Sequence, residues 1–336
     1  MTLFETYIAQ RKQRWLDFYD HSRPQSHVFI IRYAPGLPVR PFPNPWLKRE
    51  RLEWIWANYE WHVQRMEWLE DDTLPCLDML TGTELFAEAF GCSIYRPADN
   101  MPFAQPLVFS AEEADKLSIP ALDCPPMALV FEMADELYRR AGKPALTRLV
   151  DVQSPMDVAA LIQAPHAVLA LVEKIKTLQF NFLDEWFRRY GTEFIAHYPE
   201  YYMPRGVTMS VDEIGAVSQA MFNRFFLPEL VEHSKRYGGL GIHCCANARH
   251  QWQNFKKVPN LRLLNLNQPD ETAREAALFF AGHVPLWLVG WNPPAEELKT
   301  WAAQLPPQVR LVFDLTANDK DEALKLSEKL VKLCRG

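Results

Sequence analysis

His243 and Cys245, with Cys244 between them and Asn247 just beyond, form the stretch of this chain with the most chemistry to offer. They close a short apolar run, 239–242, that reads as a buried strand. Side chains alternate faces along a strand, so His243 and Cys245 share one face and Cys244 takes the other. An imidazole and a thiolate converging at a strand tip are two ready ligands for zinc. The competing reading is a core histidine beside two buried cysteines, because free Cys is among the most buried residue types.

Carboxylates and amides fall at comparable places elsewhere. Asp212 and Glu213 follow an apolar run and precede the His243 strand, which makes them candidates for general acid/base work. Adjacent residues in a regular strand face opposite ways, so only one of the two lines a shared site. Asp78 is a further acid/base candidate. Asp151, Gln153, Asn265 and Trp291 are candidates for holding a substrate. For each carboxylate the ordinary alternative is an ion pair or a helix cap.

The elements that must position these residues are short apolar runs alternating with longer helical patterns. Runs at 27–33, 73–78, 144–151, 206–212, 239–243, 261–265, 285–289 and 309–313 read as strands. Helical patterns at 155–178, 218–237, 270–281 and 295–304 lie between the later ones. This predicts an α/β fold, a single (β/α)8 TIM-type barrel over residues 1–336, whose function gathers at the carboxyl ends of the strands. Residues 1–70 form an extended helical amino-terminal region that includes the first strand. Within it, 47–69 carries Leu52, Ile55, Tyr59, Val63 and Met66 on one helical face and Trp54, Trp61 and Trp68 on the other. A helix apolar on both sides is sandwiched in the core, meets a second copy in a homodimer, or walls a ligand site. Segment 81–108 is loop-rich and reads as a lid or pocket wall.

Composition narrows the partners. The 336 residues are 48% hydrophobic and 23% charged with a net charge of −6, and no long basic block occurs, so a nucleic-acid partner is not expected. No stretch approaches the roughly 18–20 apolar residues of a membrane span, and the first residues lack the apolar core of a secretion signal. The six cysteines show no framework spacing, which suits reduced thiols and a cytoplasmic setting. Neither a G-x-G-x-x-G nor a P-loop motif is present, so dinucleotide and nucleotide chemistry have no support.

The passage from Phe225-Phe226-Leu227-Pro228 through Lys235-Arg236-Tyr237-Gly238-Gly239 to Ile242-His243-Cys244-Cys245-Ala246-Asn247 resembles the uroporphyrinogen decarboxylase superfamily, which includes cobamide-dependent methyltransferases. Residues 83–91 (TELFAEAFG) and 151–157 (DVQSPMD) are similar to family segments as well. The resemblance implies a TIM-type barrel. The decarboxylases of that family carry an arginine-rich loop after the first strand, and here Arg32-Tyr33-Ala34-Pro35-Gly36 stands in its place. The likeness is therefore to the methyltransferase branch. It implies zinc held by His243, Cys245 and a third ligand near the last strand, where Asp314 stands in place of a cysteine. It further implies methyl transfer or demethylation of a small-molecule substrate, with a methylcobamide carried on a partner corrinoid protein. A carboxylate in place of a thiolate would leave zinc a stronger Lewis acid and a bound sulfur a poorer nucleophile. The alternatives are a metal-independent decarboxylase or lyase acting on a small carboxylated substrate, and a non-catalytic barrel that binds a ligand.

Overall fold

A computed structural model describes residues 3–23, 27–34, 36–142, 145–162, 169–267, 270–289 and 295–335. It shows a mixed α/β fold built on parallel strands. Leu240–Cys244 pairs in parallel with Val207–Ser210 on one side and Leu261–Asn267 on the other, and the latter continues to Leu286–Val289. Val28–Arg32 pairs in parallel with Val312–Thr316. A third sheet joins Cys76–Leu77, Leu146–Arg148 and Phe194–Ile195 in parallel, with Tyr202–Met203 antiparallel at its edge. Single parallel bridges, Gln153 to Ser210 and Leu286 to Leu311, tie the three sheets together.

Every strand run read from the sequence coincides with an observed strand. Burial on both faces explains their continuous apolar character, as in the fully buried Val28, Phe29, Ile30 and Ile31. Closure differs from expectation. Among the described residues no strand ladder joins Val28–Arg32 to Cys76–Leu77, so a closed barrel is not formed by pairing. Two carboxylates take that place. Asp72 accepts from the Phe29 N–H at 2.8 Å, and Asp71 from the Ile31 N–H at 3.2 Å. Arg65 at 2.5 Å and Arg11 at 3.7 Å pair with Asp71, while Arg14 and Arg335 pair with Asp72. Burial pushes the Asp71 carboxyl up, but Arg65 and Arg11 outweigh it and hold the group below its usual range.

The helices show where local pattern meets tertiary limits. The expected helix 155–178 falls on two described helices, Pro155–Ile162 and Leu169–Tyr190, the second running well past the expected end. The expected helix 218–237 opens with Ser218, whose hydroxyl caps the Met221 N–H at 3.2 Å. It passes through a π-helical turn, Phe222–Phe226, and ends at Gly238 with φ of +84°, the left-handed stop that favours glycine. Gly241, inside the next strand, is needed for space. A Cβ there would lie 2.0 Å from the hydroxyl of the fully buried Tyr201.

The helix Lys48–Arg65 buries Ile55 and Tyr59 in the core. Its tryptophan face is covered from within the same chain: Trp61 donates to the Tyr33 carbonyl at 3.3 Å, and Tyr33, Trp61 and Trp68 pack with ring centroids about 6 Å apart. The lid-like segment 81–108 contains a short helix, Glu84–Ala89, and an antiparallel pair, Ile94–Tyr95 with Phe103–Ala104. No helix among the described residues is long and apolar enough to cross a membrane.

Candidate metal centre and the adjoining cavity

Strand register brings the chemistry together. Ser210 sits opposite His243 in the parallel pair, so the chain leaving Ser210 carries Asp212 to the tip where His243 and Cys245 emerge. Cys244 is fully buried while Cys245 is exposed, as alternation requires. A ligand atom from each of Asp212, His243 and Cys245 lies within 4.8 Å of the other two. Asp212 Oδ1 accepts the Cys245 N–H at 2.8 Å and lies 4.0 Å from His243 Nε2.

The residues around this cluster fix its orientation. Asn265 donates its amide to the Trp287 carbonyl at 2.7 Å, which turns its Oδ1 toward His243 Nδ1, 2.5 Å away. An amide oxygen only accepts, so Nδ1 carries the proton and the Nε2 lone pair faces the cluster. That is the arrangement by which a metal-ligating histidine is commonly held. Tyr198 packs edge-on against the His243 ring at 4.8 Å and covers it from solvent. Behind Asp212, the buried Asp157 accepts from the Asp212 N–H at 2.9 Å and the Glu213 N–H at 2.8 Å, and Ser154 bonds its other oxygen. Burial pushes the Asp157 carboxyl up to about 7, with the Asp212 charge adding to it.

The Cys245 thiol is pushed up to about 12 by burial and by its bond to Asp212. A carboxylate and a thiolate at this distance disfavour each other's charge unless a cation lies between them. One nitrogen, one sulfur and one oxygen donor, with the imidazole already in the ligating tautomer, fit a zinc ion by donor type.

Asp314 differs from expectation. Its strand is separated from that of His243 by Leu261–Asn267 and Leu286–Val289, and its carboxylate is gripped in bidentate fashion by Arg32, at 2.9, 3.0 and 2.9 Å. The carboxylate that lies beside His243 and Cys245 is that of Asp212, and Glu213 is exposed at the start of a short 3-10 turn. Asp78 is buried against Arg148 at 2.7 Å, the Leu80 N–H at 2.8 Å and Arg40 at 3.5 Å. Burial alone would raise its pKa, but Arg148, Arg40 and His197 outweigh burial and keep it a paired anion. Asp151 accepts from Ser210 at 3.3 Å and faces His197 at 3.6 Å. The Gln153 carbonyl accepts from Gln179, and its buried side-chain oxygen has no hydrogen-bond partner among the described residues. Asn265 serves His243. Trp291 lies outside the described residues.

Sequence reading passed over the segment after Phe194–Ile195. It sends His197 to Asp151, Tyr198 to His243 and Glu200 to two arginines. Its strands are two residues long, too short for a periodicity signal. Glu200 bridges Arg32 at 2.8 Å and Arg148 at 3.0 Å. Burial would raise its pKa, but Arg148 and Arg32 together hold the carboxyl well below the usual range. Beside this network, under the helix Lys48–Arg65 and over the ends of Val28–Arg32 and Val312–Thr316, lies a cavity of about 420 Å³. Arg32, from the segment that stands in place of an arginine-rich loop, shares its wall with Arg40, Arg65 and Arg148.

Neither a family model nor a curated protein sequence matches this chain. Among solved structures, a methyltransferase from Methanosarcina mazei is similar at 13% identity, covering 95% of this chain and 97% of that one with a TM-score of 0.64. The homocysteine methyltransferase MmuM from Escherichia coli, in its apo form, aligns at 15% identity over 67% of this chain and 96% of that one, with a TM-score of 0.25. At these identities the first likeness speaks to the fold, and the second carries no argument.

Proposed function

We propose that this chain is a zinc-dependent methyltransferase built on a TIM-type barrel, moving a methyl group between a corrinoid carried by a partner protein and a small-molecule substrate. The observation that carries the reading is the convergence of Asp212, His243 and Cys245 at adjacent strand tips, with the His243 tautomer fixed by Asn265. The fold likeness to a methyltransferase agrees with it, as does the resemblance in the 225–247 passage. Asp212, His243 and Cys245 would hold the ion, and zinc bound there would supply Lewis acidity toward a thiol or oxygen of the substrate. The chain's own residues do the positioning. Asn265 keeps Nδ1 of His243 protonated so that Nε2 remains a ligand. Asp157 pins the backbone that presents Asp212, and Tyr198 excludes water from one side of the imidazole.

Two measurements test this together. Protein purified without added metal should contain close to one zinc per chain, and His243→Ala or Cys245→Ser should abolish it. Added methylcobalamin should be demethylated in the presence of an acceptor thiol by the wild type and not by either variant. Substoichiometric metal unaffected by His243→Ala would remove the basis of the proposal.

A further inference from the structure

The cavity under the helix Lys48–Arg65 is chemically distinct from the donor cluster, and the chemistry proposed above does not use it. Four guanidinium side chains line it, from Arg32, Arg40, Arg65 and Arg148, whereas Glu200 is the only lining carboxylate among the described residues. The other acids that pair with these arginines, Asp71, Asp78 and Asp314, do not line it. Each of these guanidiniums is already paired with an acid in or behind the wall, so capacity for an added anion lies with the most weakly paired of them.

The buried Nε atoms of Arg65 and Arg148, and Nδ1 of His62, have no hydrogen-bond partner among the described residues, so the polar groups of this wall are incompletely matched from within the chain. Arg40 is the cation best placed to change partner. Its side chain is 37% exposed, and its ion pair to Asp78 is 3.5 Å long, while Arg148 holds the same oxygen at 2.7 Å. Two aromatic side chains, Trp54 and Tyr33, join aliphatic ones in the rest of the wall. Trp54, with Arg40 over its ring at 6.0 Å, lies one helical turn from Asn58, and Tyr33 closes the strand side.

We propose that this cavity binds a small organic acid, its carboxylate held by Arg40 and its ring packed against Trp54. Guanidinium forks match planar carboxylates, and the wall already pairs them so, with Glu200 spanning Arg32 and Arg148. A volume of about 420 Å³ accommodates a bicyclic ring with its acid group. The site stands whether or not the donor cluster carries zinc.

Calorimetric titration of the full chain in excess chelator tests this with 2-naphthoate and its neutral counterpart 2-naphthamide. The acid should bind at least about tenfold more tightly than the amide, since only the acid answers the guanidinium. Arg40→Gln should erase that preference while leaving the amide's affinity unchanged. Asn58→Phe, which fills the cavity from the helix, should weaken both ligands, and thermal melts of the two variants establish that they are folded. Equal affinity for acid and amide, no binding of either, or acid binding untouched by Arg40→Gln would overturn the assignment. Because metal is withheld throughout, a failure of the zinc reading leaves this outcome intact.

Discussion

At the scale of single residues, the centre depends on groups that touch no ligand. Asn265 sits between the Trp287 carbonyl and His243 Nδ1, and its value lies in the proton it keeps on that nitrogen. Asn265→Ala should therefore weaken zinc binding by roughly 10–100-fold while leaving the fold intact, as loss of a partner that orients a ligand commonly does. Competition with a chromophoric chelator reads this directly. Asp314→Asn provides the contrast. Its carboxylate belongs to Arg32, so zinc stoichiometry should not change. A variant at Asp314 that lost zinc while Asp212→Asn retained it would reverse the ligand assignment. The His243/Cys245 pair was legible because alternation along one strand is local. The third candidate donor was not legible. Asp212 follows one strand and Asp314 lies within another, and only lateral strand order places the first beside His243 and the second two strands further away.

At the scale of elements, the first strand shows how side chains replace a missing ladder. Asp71 accepts from Ile31 N–H, from Thr73 and from Arg65, and pairs with Arg11, all within the protein interior. Removing one partner from a buried ion pair leaves the others uncompensated, so Asp71→Ala should destabilise the protein by about 3–5 kcal/mol. Urea unfolding monitored by circular dichroism measures the loss; a change below about 1 kcal/mol would mean that the strand edge does not depend on this carboxylate. Sequence gave no warning of this role. Asp71-Asp72 reads as a polar turn before a strand, and the arginines that bury it come from residues 11, 14, 65 and 335. The helix Lys48–Arg65 is the opposite case. Its two apolar faces were plain in the sequence, and the structure supplies the partners: core on one side, Tyr33 and the cavity on the other.

At the scale of the whole molecule, three histidines tie stability to acidity. Burial pushes His27 down to about 4, with Arg310 adding to it; His62 falls to about 3, and His233 to about 4. The unfolded chain takes up these protons near pH 6.5, whereas the folded chain resists until far lower pH. Their contribution is thus fully present above about pH 6.5 and is lost as pH falls from there toward 4. At pH 5 each should cost on the order of 1–2 kcal/mol relative to pH 7. Burial pushes the Glu84, Asp157 and Glu229 carboxyls up to about 7, which acts in the opposite sense over this range, so the readout is a difference: wild type should lose more urea stability between pH 7 and pH 5 than His233→Gln does. Equal changes in the two proteins would contradict the burial of this ring in neutral form.

By itself the sequence determined the parallel α/β character, the position of the longer strands, and the meeting of His243 with Cys245. Each of these follows from periodicity or spacing within a few residues, where backbone geometry leaves little choice. Only the tertiary structure decided that Asp212 lies beside His243 and Cys245, that carboxylates rather than a ladder flank the first strand, and that four distant arginines line one cavity. Those outcomes depend on which strands lie side by side and on charges brought together from far along the chain. Neither is written in any local pattern.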